Sequence, residues 1–137
     1  MADTAPLIAT IEAAAEAVTI AANGTTIVGE APFAGVVTGV VYAPEANITG
    51  AASPDSRTFT LINKGQDGNG AVAVATLAMV GGVNALDFDE KAITLSVTAA
   101  DLVVAAGDVL AFVSTAVTGG GGLVDPGGLV KVTISRS

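Results

Sequence analysis

The clearest pattern along this chain is alternation of apolar and polar residues with a period of two. In Gly128-Leu-Val-Lys-Val-Thr-Ile-Ser-Arg136, Val130, Val132 and Ile134 fall on one side and Lys131, Thr133 and Ser135 on the other. That is the signature of a half-buried strand. The same alternation predicts a strand over 57–62 with Phe59 and Leu61 inward, and one over 92–97 with Ile93, Leu95 and Val97 inward. Three amphipathic strands imply a sheet with one wet face. Three further runs, over 33–42, 71–80 and 108–113, are apolar on both faces and rich in Val. They read as strands whose second face needs cover from another sheet or another subunit. Short strands over 17–21 and 25–28 are expected to join through Asn23-Gly24, a strong hairpin dipeptide.

The first residues admit two periods. Leu7, Ile8, Ile11, Ala15 and Val18 fit a helical stripe, while Leu7, Ala9 and Ile11 fit a strand. The β-rich context favours an extended N-terminal arm over 1–15, followed by a single domain over 16–137. A short helical turn fits 99–107. Turn clusters separate the runs at 44–56, 65–70, 81–82, 106–108 and 119–128. About eight short antiparallel strands without a long helix predict an all-β fold, a jelly-roll-like β-sandwich.

Composition refines this picture. Hydrophobic residues make up 51% of the 137, but aromatic ones only 4%, so the core must be assembled from small side chains, chiefly Ala and Val. Without Cys, neither a disulfide framework nor a thiolate metal site is available. No apolar window reaches the roughly 20 residues of a membrane span, and the opening residues lack the basic stretch of a signal peptide. The chain is therefore expected to be soluble, unprocessed and independent of membranes. Thirteen acidic and five basic residues leave a net charge of −8, which repels a phosphate backbone and makes nucleic acid a poor partner.

Chemistry-bearing motifs are scarce. The glycine-rich stretch 119–128 fails as a phosphate loop, because Leu129 and Val130 stand where Lys and Ser or Thr would follow the last Gly. Asp125-Pro-Gly-Gly128 fits a type II turn instead. Asp67 and Asn69 are spaced like the first ligands of a calcium loop, but Ala71 and Ala78 occupy the later ligand positions. Asp87 and Asp89 share a face if extended, leaving a cation site or an acid pair conceivable; the simpler reading is a solvated loop that Phe88 anchors to the core. With no His, no Cys and no nucleophile elbow around any Ser, catalytic residues, cofactors and metals are all expected to be absent.

An ordered series of segments remains: Ala31-Pro-Phe-Ala-Gly-Val-Val-Thr-Gly-Val-Val-Tyr42, Ile48-Thr-Gly50, Arg57-Thr-Phe-Thr-Leu-Ile-Asn-Lys-Gly65, Phe88-Asp-Glu-Lys-Ala-Ile-Thr-Leu95, Ala106-Gly-Asp-Val-Leu110 and Asp125-Pro-Gly-Gly-Leu-Val130. Together they resemble the capsid decoration proteins of tailed phages, over about residues 30–135. The resemblance implies a β-sandwich that binds the outer surface of the expanded head and reinforces it. It further implies the major capsid protein as partner, self-association as a homo-oligomer with a trimer favoured, and a place on the virion exterior after synthesis in the host cytoplasm. It transfers no catalytic residue. The candidate contact residues are Leu7, Ile8 and Ile11 on the arm and Leu123 and Val124 in the glycine-rich loop. The simpler reading of Leu123 and Val124 is a cap on the end of the sandwich. The rival class is a glycan-binding or host-attachment module in which Asp67, Asp87 and Asp89 supply polar or calcium contacts.

Overall fold

A computed structural model describes residues 6–117 and 123–136. The run Gly119–Gly122 of the glycine-rich stretch lies outside the described residues. Twelve strands and one short 3-10 helix follow each other in the described chain: β1 (Leu7–Ala15), β2 (Gly24–Glu30), β3 (Gly35–Pro44), β4 (Ile48–Thr49), β5 (Arg57–Asn63), β6 (Val72–Met79), β7 (Asn84–Ala85), β8 (Lys91–Ala92), β9 (Thr94–Leu95), the helix (Ala99–Leu102), β10 (Val103–Val104), β11 (Val109–Ala116) and β12 (Gly128–Arg136). No described helix is long and apolar enough to cross a membrane.

The strands form two main sheets, antiparallel throughout. One has the order β1-β12-β3-β10, with β8 also on β3; the other has the order β2-β11-β5-β6-β9. A further two-residue pair joins β4 to β7. The fold is thus the expected all-β sandwich. Residues 7–15, expected as an arm, are extended and pair with β12 of the same chain from Leu7 opposite Arg136 to Ala15 opposite Gly128. Ile11 reaches across to within 3.6 Å of where a Gly29 side chain would begin, so β1 also closes the seam against β2.

Between the sheets lies a core of small side chains around one aromatic cluster. Phe59 and Phe112 stack with ring centroids 5.5 Å apart, and Tyr42 packs tilted against both at 5.0 Å. The alternating positions point as their period requires: Val130, Val132, Ile134, Phe59 and Leu61 are all buried. Concentrating three of the five aromatic residues in one layer fills volume that Ala and Val cannot.

Two local expectations are overturned. The Asn23-Gly24 hairpin does not form. Gly24 lacks the positive φ that a two-residue hairpin turn needs. Val18 pairs instead with Asp125, and the Asn23 side-chain oxygen accepts from the Ala116 amide at 2.9 Å. Nor is 92–97 one amphipathic strand. β8 pairs with β3 and β9 with β6, so the chain changes sheet at the buried Ile93, whose amide donates to the Val40 carbonyl at 2.9 Å. Beyond that crossing Val97 is fully exposed rather than inward.

Two glycines in the Asp125–Gly128 turn are required by space. Gly127 has φ 84°, in keeping with the expected turn, and a side chain on Gly128 would begin 2.1 Å from the Ala43 carbonyl oxygen. The contrast between core and sheet-crossing positions is testable. Leu61→Ala is expected to cost about 2–5 kcal/mol, whereas Val97→Ser should stay within about 0.5 kcal/mol of wild type; urea denaturation of both variants checks this.

Candidate interaction surface

Arg57 opens β5 on the same face as Phe59 and Leu61, so the strand's own period turns it inward, and it is fully buried. Its guanidinium donates four hydrogen bonds: Nε to the Leu123 carbonyl (2.9 Å), Nη1 to the Ala22 carbonyl (3.1 Å) and Ser114 Oγ (3.0 Å), and Nη2 to the Thr19 carbonyl (3.0 Å). Beside it, buried Asp125 accepts from the Tyr42 hydroxyl at 2.5 Å and from the Gly127 amide at 3.0 Å. Its backbone exchanges two further hydrogen bonds with Val18, at 2.8 and 2.9 Å.

Burial pulls the Arg57 guanidinium below its ordinary range, and the charge of Asp125 opposes that shift. Burial, and then the hydrogen bond to Asp125, push the Tyr42 hydroxyl well above its ordinary value. Among the described residues no buried side-chain nitrogen or oxygen lacks a hydrogen-bond partner. The network therefore works as a clasp on loops 16–23 and 123–127, tied by the four guanidinium hydrogen bonds and the two to the Asp125 carboxylate.

The other acidic candidates are dispersed. Asp67 turns back on its own loop and accepts from the Asn69 amide at 2.9 Å, which holds its carboxyl below the usual range. Asp87 and Asp89 lie on the loop between β7 and β8. Among the described residues no three carboxylates are grouped to hold a metal ion.

What the fold does present is surface without charge. On the outer face of the second sheet, Thr25, Val113, Thr60, Thr76 and Thr94 form one row across all five strands, flanked by Ile27, Ile62 and Ala73 with the buried Ala111 between them. Thr60 and Thr76 share a hydrogen bond at 3.2 Å. On the outer face of the first sheet, Ile8, Ser135, Val36 and Val103 form a row at one end, and Ala14, Leu129 and Ala43 another near the opposite end. The charged residues between them are Glu12 and Lys131, the latter bonded to Glu90 at 2.7 Å.

The contact candidates occupy different settings. Ile8 is 72% exposed and belongs to the apolar row just described, and Leu7 is partly exposed at the start of β1. Ile11 and Leu123 are half-buried and pack against the core. Val124 is exposed and shares a shallow groove with Ala17, Val18, Thr19 and Ile20. Phe88 departs from expectation: instead of anchoring its loop to the core it is 78% exposed, with a left-handed φ of 59°. The loop is held by its backbone. Phe88 N donates to the Pro44 carbonyl at 2.8 Å, Asp87 N to Asn47 Oδ1 at 2.8 Å and Asp89 N to the Leu86 carbonyl at 3.2 Å. The ring edges an apolar groove made by Ala14, Ala43, Gly128 and Leu129, with Glu45 at its rim.

Comparison with known proteins gives the following. No family model matches the chain, and no curated protein matches it. Its structure is similar to the crystal structure of FLHE, with a TM-score of 0.49 at 15% identity over 96% of both chains. It is also similar to the structure of infectious bursal disease virus Gx strain, with a TM-score of 0.46 at 15% identity. That match covers 96% of this chain but 32% of the viral one. At such identities neither likeness bears on function.

Two outcomes test the clasp. Arg57→Met leaves three loop carbonyls and Ser114 without their donor and is expected to cost about 2–4 kcal/mol in urea denaturation. Lys at the same position should not restore it, lacking the planar fork. Because Tyr42 is the sole Tyr, ultraviolet titration reads it alone. The folded state holds this proton more tightly than the unfolded one, so the contribution of Tyr42 to stability is fully present below the unfolded value of about 10 and falls as pH rises above it. No tyrosinate signal should appear before unfolding, and in urea the signal should return to about pH 10.

Proposed function

We propose that the chain is a structural virion protein that binds the outer surface of a tailed-phage capsid and stabilises the shell, without catalysing a reaction. The observation that carries this reading is the ordered series of segments from Ala31 to Val130 that resembles capsid decoration proteins. Two features support it. The buried polar groups are spent on holding loops, and both sheets present outer faces made almost wholly of uncharged side chains. In a chain of net charge −8, such faces are where another protein is met at least electrostatic cost.

The partner is the major capsid protein, joined by further copies of this chain as a homo-oligomer, a trimer by the same resemblance. Nucleic acid and membrane are not part of the reading. Stabilisation follows from mass action: a ligand that binds only the assembled lattice, present at about 100 times its Kd, adds roughly 2.7 kcal/mol per site against rupture.

A glycan-binding module gains one observation, the exposed Phe88 ring, flanked in sequence by Asp87 and Asp89. A glycan screen with and without calcium separates the classes.

Purified chain added to expanded heads of the major capsid protein from the same genome should bind at saturable occupancy and raise the temperature of shell rupture. Absence of binding would reject the reading. Within that experiment Leu123→Asp is expected to lower the stability of the isolated chain. Val124→Asp should leave that stability within about 0.5 kcal/mol of wild type, so any loss of occupancy reports a contact.

A further inference from the structure

We infer that Phe88 is a preset anchor, which inserts into an apolar socket on the shell protein whose rim carries Lys or Arg. This rests on the capsid-binding reading and names the surface and the partner chemistry it uses.

The starting observation is a local conflict. A bulky residue in the left-handed region is strained, and a ring with most of its surface in water forgoes burial. Phe88 does both at once, at φ 59° and 78% exposure. A glycine or asparagine would satisfy this backbone at less cost. The conformation is nevertheless well fixed, by the three hydrogen bonds to Pro44, Asn47 and Leu86. The ring is therefore held out by a loop that is itself ordered, so little conformational freedom is left to lose on binding.

Its surroundings extend the contact. Beside the ring, Ala14, Ala43, Gly128 and Leu129 make an apolar floor, and Leu129 is itself 39% exposed. An exposed aromatic next to a small-residue floor is the form of an interface anchor and its surround. The floor offers no ring of side-chain donors with which to grip a sugar, which favours a protein socket over a glycan.

Charge selects the kind of socket. Asp87 and Asp89 flank the ring in sequence, and Glu45 stands at the groove's rim. The nearby Glu90 is already neutralised by Lys131 at 2.7 Å. A partner presenting Lys or Arg around an apolar hole would match this pattern, and an acidic one would be repelled. The same charges keep two copies of this chain from pairing through the loop.

The experiment compares wild type with Phe88→Gly, the double variant Asp87→Lys/Asp89→Lys, and Val97→Ser as an exposed apolar control, on the same expanded heads. Phe88→Gly removes strain and exposed apolar surface, so its midpoint in thermal unfolding should equal or exceed that of wild type. Its affinity for heads should fall by roughly tenfold or more, the scale of an anchor residue. The double variant should also bind more weakly, and wild-type binding should weaken as salt is raised. Val97→Ser should bind as wild type.

Unchanged affinity of Phe88→Gly, with wild type binding normally, overturns the anchor and leaves the capsid reading standing. A lowered unfolding midpoint in Phe88→Gly, or an equal loss in Val97→Ser, also overturns the anchor. Undiminished binding by the double variant overturns the basic rim. Failure of wild type to bind heads, or Phe88-dependent capture of a glycan in its place, overturns both readings.

Discussion

The fold depends on one buried guanidinium. Arg57 is fully enclosed and is satisfied chiefly by backbone carbonyls from segments distant in sequence, Thr19, Ala22 and Leu123. Removing a charge from water is costly unless hydrogen bonds replace the lost hydration. The loops at this end of the sandwich therefore cannot drift apart without stranding the charge. Asp125 supplies the opposite sign nearby, and through Tyr42 it links the clasp to the aromatic layer of the core. A chain poor in large apolar side chains thus gains order from a polar device where packing alone offers little.

The same economy shapes the surface. Alternation along the long strands sends most of the larger residues inward and leaves mainly Thr, Ala, Ser and Val outside, so both outer faces carry little charge. Most carboxylates are displaced onto loops, as with Glu45, Asp55, Asp67, Asp87, Asp89 and Asp108. Several stabilise their own turns: Asp108 accepts from the Asn63 side chain and the Ala105 amide, and its carboxyl lies below the usual range for that reason.

Much of this was legible in advance, and the failures are informative. Inward placement of Phe59, Leu61, Val130, Val132 and Ile134 follows from a local property, the two-residue repeat of a strand. Arg57 stands at the next inward step of the same repeat, so its burial was available to a stricter use of the pattern. Val97 misled because the chain changes sheet at Ile93, and alternation carries no information across such a crossing. Asn23-Gly24 misled because the carboxamide found a better partner in Ala116, more than 90 residues away. Phe88 misled because hydrophobicity alone places a phenylalanine inside, whereas here two backbone–backbone hydrogen bonds and one to the Asn47 side chain set the loop and carry the ring outward.

By itself, then, the sequence determined the class of fold, the faces of the long strands and the scarcity of catalytic parts. All of these are properties of residue type and short-range spacing. Tertiary structure decided which carbonyls converge on Arg57, that residues 7–15 lie along β12, and that Phe88 stands in solvent beside an apolar floor. Those outcomes arise from hydrogen bonds between segments far apart in the chain, where the competition among partners is settled only once both sheets are in place.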